Sequence, residues 1–200
     1  MDEVPETQYA KTGNVHIAYQ VVGEGPIDLV LIPEWFSHVE AAWDVAPLAR
    51  TLRRLGSFSR LIMFDKGGSG LSDPVPLTEL PSLEVWIDEV QAVMDEAGSQ
   101  QAAVLGDGGG GPMAIMFAAT HPQRVSALVL VNSFARITRG PDYPAGLPLD
   151  ELRQFPGWLR GLWGTGRTLP VGIDLEPRLA VFLESRCLDS QRKDRRRQIG

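Results

Sequence analysis

A single cysteine, Cys187, stands in 200 residues, so no internal disulfide can form and the chain suits a reducing compartment. Histidine is almost as scarce, with only His16, His38 and His121 present, and no metal site is expected. No run approaches the ~18 consecutive apolar residues that a membrane-spanning helix needs. The opening Met-Asp-Glu-Val-Pro-Glu is acidic and has no apolar core, so it is not read as a signal peptide. Positive charge is not in excess either. A net charge of −6 argues against a general nucleic-acid footprint, and no nucleic-acid partner is expected. The local exception is Arg192, Lys193, Arg195, Arg196 and Arg197, which read as a solvated basic tail. Together these absences point to a cytoplasmic protein without a membrane span.

What is present suits one domain. An apolar fraction of 44% and a charged fraction of 22% over this length suffice for a real core. Residues 15–22 are rich in β-formers and precede the turn Gly23-Glu24-Gly25-Pro26, which reads as the start of a hairpin. Residues 28–32, 60–64, 102–105 and 126–131 are short apolar runs, as expected of strands buried on both faces. Between them, 43–55 has helical spacing, with Trp43, Ala46, Leu48 and Leu52 near one face. The stretch 83–97 repeats that period through Val85, Ile87, Val90, Val93 and Met94, and Gly98 stops it. Strands of about five residues alternating with helices indicate βαβ units and a mostly parallel sheet. Past Asn132 the texture becomes rich in Pro and Gly, with short helices expected over 152–163 and 175–187 and no further strand.

One junction stands out. The strand 102–105 runs into Gly106-Asp107-Gly108-Gly109-Gly110-Gly111, and Pro112 then opens an apolar helix. Strand, tight turn and helix are the geometry of a nucleophile elbow, G-x-Ser-x-G, which holds a serine on a strained turn above the sheet. The serine position falls on Gly108, which has no side chain.

Four stretches, in order and at the right spacing, resemble the α/β-hydrolase superfamily. They are Thr12-Gly13-Asn14-Val15-His16-Ile17-Ala18-Tyr19-Gln20, Phe64-Asp65-Lys66-Gly67-Gly68-Ser69-Gly70-Leu71-Ser72, the glycine elbow, and Ala118-Ala119-Thr120-His121-Pro122-Gln123-Arg124-Val125 with the strand that follows. The resemblance is to the branch whose hydrolase domain is often fused to nucleotide (adenylate) cyclase domains. It implies an α/β-hydrolase-like core over residues 8–138, a partial and rudimentary helical cap over 139–187, and a basic tail over 188–200. The last sheet strands and the acid–histidine pair of the family lie beyond the matching region, so the fold is expected to be incomplete at its C-terminal side, as in a truncated member. An apolar edge strand at 126–131 would then be open to self-association.

The resemblance also implies site residues. Gly108 holds the elbow position, and the residue after it, Gly109, supplies one oxyanion-hole N–H. The loop after 28–32 supplies the second, where Glu34 replaces the usual glycine and Trp35 becomes the donor. A carboxylate at position 34 opposes the negative charge that develops in acyl transfer. Gly67 replaces the usual arginine of the D-x-R-G loop. His38 is a candidate for the pocket wall, with Glu34 and Asp107, while His16 and His121 are expected in structural or solvent-facing roles.

Three readings of the glycine tract follow. The chain is an active ester or epoxide hydrolase, working either by Asp107 as nucleophile, although it sits one residue before the elbow position, or by residues from a second chain. The tract is a G-x-G-x-x-G dinucleotide cradle, against which stands the absence of an acidic residue after the next strand. Or the glycines serve tight strand–helix packing in a degenerate, pseudoenzyme-like member with little or no serine-hydrolase activity. The third is favoured, with a non-catalytic small-ligand or regulatory module as a competitor. No cofactor is called for, and the expected ligand is small and apolar or ester-like.

Overall fold

The computed structural model describes residues 4–34, 37–76 and 81–162. They belong to two compact units that divide between Ser133 and Phe134. The first is built on one six-stranded sheet in the order β1-β2-β4-β3-β5-β6. Its strands are β1 (Gln8–Thr12), β2 (Val15–Val22), β3 (Asp28–Ile32), β4 (Arg60–Phe64), β5 (Ala102–Asp107) and β6 (Val125–Val131). β4, β3, β5 and β6 run parallel, and β1 and β2 add an antiparallel margin. The expected mostly parallel sheet with flanking helices is therefore the observed one.

Helices α1 (Ala46–Gly56), α2 (Leu83–Glu96) and α3 (Gly111–Thr120) connect the parallel strands. Successive strand side chains point to opposite faces, and each face has its own core. On one, Ile87, Val90 and Met94 of α2 and Met113, Ala114 and Phe117 of α3 close on Val30, Ile32, Ile62, Phe64 and Val104. On the other, Ala49 and Leu52 of α1 pack against Leu29, Leu61 and Met63. Burial on both sides is why β3 and β4 read as continuous apolar runs rather than alternating ones. Each fully buried Leu, Ile or Phe contributes about 1.5–3 kcal/mol.

Several sequence expectations need correction. The hairpin lies upstream of its expected place: β1 and β2 pair around Gly13-Asn14, with Thr12 opposite Val15. The turn at Gly23-Glu24-Gly25-Pro26 instead leads into β3, which pairs with β4 and β5. β1 buries only Ala10, so it carries little apolar signal. The helix read over 43–55 is a short 3₁₀ turn, Ala41–Asp44, followed by α1. The tighter turn breaks the phase of a 3.6-residue period. Ala49 and Leu52 therefore face the core while Ala46 and Leu48 are exposed. Val85 is likewise exposed on α2.

β6 is the margin of the sheet among the described residues, and Leu128, Val129, Leu130 and Val131 are between 39% and 44% exposed. In the second unit two isolated bridges, Thr138–Leu147 and Gly140–Tyr143, precede α4 (Leu149–Leu162), which carries Pro156 internally. α4 is the helix expected over 152–163, begun one turn earlier. The helix expected over 175–187 and the tail over 188–200 lie outside the described residues.

Candidate active site

The register of the sheet builds the site. Ile32 of β3 pairs with Gly106 of β5, so Glu34 and Gly108, each two residues further on, meet above the carboxyl ends of two adjacent parallel strands. From β3 the chain passes to β4 on one side, and it returns as β5 on the other. Such a divergence of connections is where an open α/β sheet leaves its ligand crevice.

Gly108 adopts φ +48, in the left-handed region that side chains disfavour, and begins a short 3₁₀ turn, Gly108–Gly110, that runs into α3. Gly106 permits the close approach of that helix: a Cβ there would meet the Ala114 Cβ at 2.7 Å and the Gly111 Cα at 2.9 Å. Ser133, just past β6, donates its hydroxyl to the Gly108 carbonyl at 3.2 Å and ties down the far side of the turn.

Glu34 does more than oppose a developing charge. The Gly109 N–H donates to Glu34 Oε1 at 2.8 Å, so the expected oxyanion donor is already engaged. A hydrogen bond to an ionised carboxylate is among the stronger kinds. Oε2 stands where the side chain of residue 108 would begin, and a Cβ built on Gly108 overlaps it. One carboxylate thus stands at both the expected elbow position and the expected oxyanion donor.

The other candidates are placed as follows. Asp107 ends β5 half-buried; burial pushes its carboxyl up, while the Gly108 N–H pulls the other way. His38 Nδ1 accepts the Ala41 N–H at 3.3 Å. Trp35 lies outside the described residues. His16 Nδ1 bonds Asp73 Oδ2 at 2.8 Å, and His121 Nδ1 bonds the Thr120 hydroxyl at 2.9 Å while its ring stacks on Phe117. Among the described residues no three His, Cys, Asp or Glu side chains gather as a metal site, and no helix is long and apolar enough to cross a membrane.

The loop after β4 adds charges that the sequence reading did not single out. Lys66 is 4% exposed, with its ammonium 5.3 Å above the centre of the Trp86 ring. Burial pushes it down to about 8, with the Glu34 and Glu89 charges working the other way. Glu89, on α2, is 2% exposed and accepts the Gly67 N–H at 3.0 Å. Burial pushes its carboxyl up to about 7, against the Gly67 N–H and Lys66. A Cβ at position 67, where the arginine is replaced, would meet Glu89 Oε1 at 2.6 Å, so a side chain there requires the Glu89 carboxylate to shift. The available signal was an acid inside an apolar stripe: Glu89 lies three residues after Trp86 and four before Val93.

Comparison with known proteins agrees with this fold. A family model described as the alpha/beta hydrolase fold matches residues 41–180. A pimeloyl-[acyl-carrier protein] methyl ester esterase of Neisseria meningitidis serogroup C is 39% identical over 85 residues, covering 42% of this chain and 32% of the relative. The enzyme of that name from Nitrosomonas europaea is 31% identical over 142 residues, covering 71% of this chain and 50% of the relative. The chain thus spans a third to a half of these curated relatives' length. Among solved structures, an esterase from Rhodococcus sp. superposes with a TM-score of 0.70 at 24% identity, covering 92% of this chain and 69% of that one. A bromoperoxidase from Bacillus anthracis superposes with a TM-score of 0.73 at 17% identity, covering 92% and 68%.

Proposed function

The chain belongs to the α/β-hydrolase fold family, and from that premise we propose that it is a member with little or no serine-hydrolase activity at the turn after β5. Serine-based acyl transfer needs a nucleophilic side chain, a base to activate it and free N–H donors for the oxyanion. Position 108 supplies no side chain. The observation that carries the reading is the Glu34 carboxylate, bonded to the Gly109 N–H at 2.8 Å and lying across the space beside Gly108. Both losses act on one step, since the same group that fills the nucleophile's space removes a donor from the oxyanion. The names of the esterase relatives support small ester-like compounds as the ligand class of the ancestral site.

A fluorophosphonate probe tests this, because it reacts with a serine only when that serine is activated. Neither the wild-type chain nor Gly108→Ser should be labelled, and Gly108→Ser should gain no turnover of an alkyl ester. Stoichiometric labelling of either protein would sink the reading.

A further inference from the structure

Glu34 is more than an obstruction, because the group it brings to the turn is itself a nucleophile. We propose that Glu34 is the reacting group of this site, attacking acyl compounds whose leaving group departs as a thiolate or an aryl oxide. The inference rests on the reading that Gly108 holds the elbow position and that no serine acts there.

Three observations converge on it. Glu34 Oε1 is fixed by the Gly109 N–H at 2.8 Å, which leaves Oε2 as the oxygen directed at the space a side chain on residue 108 would enter. Glu34 is half-buried rather than sealed in the core. The buried Lys66 ammonium, fixed over Trp86, is near enough to interact with the Glu34 charge. A carboxylate attacks without a base to deprotonate it, so a nucleophile of this kind does not need the serine's histidine.

The chemistry sets the substrate class. Oε2 bonds to the acyl carbon, the carbon–sulfur or carbon–oxygen bond breaks, and its electron pair leaves with the thiolate or aryl oxide. The product is a mixed anhydride on Glu34. Water then adds to the anhydride, the acyl group leaves as its carboxylate, Glu34 returns as a carboxylate, and two protons pass to solvent. When water adds at Glu34 Cδ, the charge develops on Oε1, where the Gly109 N–H is already aimed. The leaving group decides which way the first adduct collapses. Thiols and phenols ionise near about 8.5 and about 10, within reach of expulsion by a carboxylate, whereas water ionises near about 15.7 and alkoxides resemble it. From an alkyl ester the carboxylate is itself expelled and nothing is gained. Aryl esters and thioesters are therefore substrates, and alkyl esters are not.

The test incubates the chain with p-nitrophenyl acetate, the acetyl thioester of N-acetylcysteamine, or ethyl acetate, each with hydroxylamine, which traps an anhydride as a hydroxamate. Peptide mass spectrometry should find Glu34 hydroxamate with the first two and not with the third. Glu34→Gln should lose the adduct and fall to the buffer rate of p-nitrophenol release while still unfolding cooperatively, and Asp107→Asn should retain both. Absence of Glu34 hydroxamate from the wild-type chain would overturn the proposal, as would an unchanged release rate in folded Glu34→Gln or an equal reaction with ethyl acetate. Fluorophosphonate labelling separates the two readings: labelling overturns the no-serine premise, whereas no labelling and no hydroxamate overturns only the role of Glu34.

Discussion

The loop after β4 and the turn after β5 both end a buried parallel strand, and both hand backbone N–H groups to a carboxylate. After β4 the carboxylate is Asp65, fully buried, whose Oδ2 accepts the Val39 N–H at 3.1 Å and the Leu71 N–H at 2.9 Å. After β5 it is Glu34, half-buried, with the single Gly109 N–H at 2.8 Å. Asp65 joins two loops and is sealed from solvent, so its bonds hold the structure together. Glu34 gives only one oxygen to a backbone N–H, its other oxygen lies over Gly108, and the residue is only partly buried. The same interaction is structural where water is excluded and chemically available where it is not.

Removing the structural carboxylate should have the largest effect. Asp65→Ala leaves the buried Val39 N–H and the part-buried Leu71 N–H without their acceptor, and a loss of about 3–5 kcal/mol is expected in urea unfolding. A loss below about 1 kcal/mol would put Asp65 on the same footing as a surface group.

Adding a side chain at the open position should cost less. Gly108→Ser forces a residue into the left-handed region and against Glu34, for a combined cost of about 2–4 kcal/mol. In the Glu34→Gly background the overlap is gone, and only the conformational part of about 1–2 kcal/mol should remain. A double-mutant cycle by thermal unfolding reads the coupling, and strict additivity would show that the two positions do not meet.

The smallest effect is a pH dependence confined to the buried charges. Glu89 rises from 4.5 unfolded to about 7 folded, so its contribution is fully present below 4.5 and is lost as pH rises through about 7. Asp65 behaves alike between 3.8 and about 6. Lys66 falls from 10.5 to about 8, so its contribution is present above 10.5 and is lost as pH falls through about 8. These groups together give a stability minimum near pH 7–8. The wild-type chain should lose on the order of 1–3 kcal/mol between pH 5 and pH 7, and Glu89→Gln should lose less. Identical slopes for the two proteins would remove Glu89 as the cause.

Much of the fold was legible because its signals are local. Apolar runs marked β3 to β6, and glycines closed the strand–helix junctions. The misses share a cause. β1 buries one residue and gives no periodic signal, and the 3₁₀ turn before α1 shifted the helical phase by which Ala46 and Leu48 were assigned to the core. At the site, Gly108 could be located from its neighbours in the chain, and Glu34 could be marked as a departure from the family pattern. Their contact could not, because 74 positions separate them and only the pairing of Ile32 with Gly106 brings them together.

The sequence by itself determined the parallel core, the glycine at the elbow and the absence of a serine there, since each follows from residue type and short-range spacing. Only the tertiary structure decided that Glu34 closes on that glycine, that the Gly109 N–H is taken, and that Lys66 lies buried over Trp86. Strand register and desolvation are properties of the assembled sheet, and they turn a carboxylate read as a nuisance into the occupant of the site.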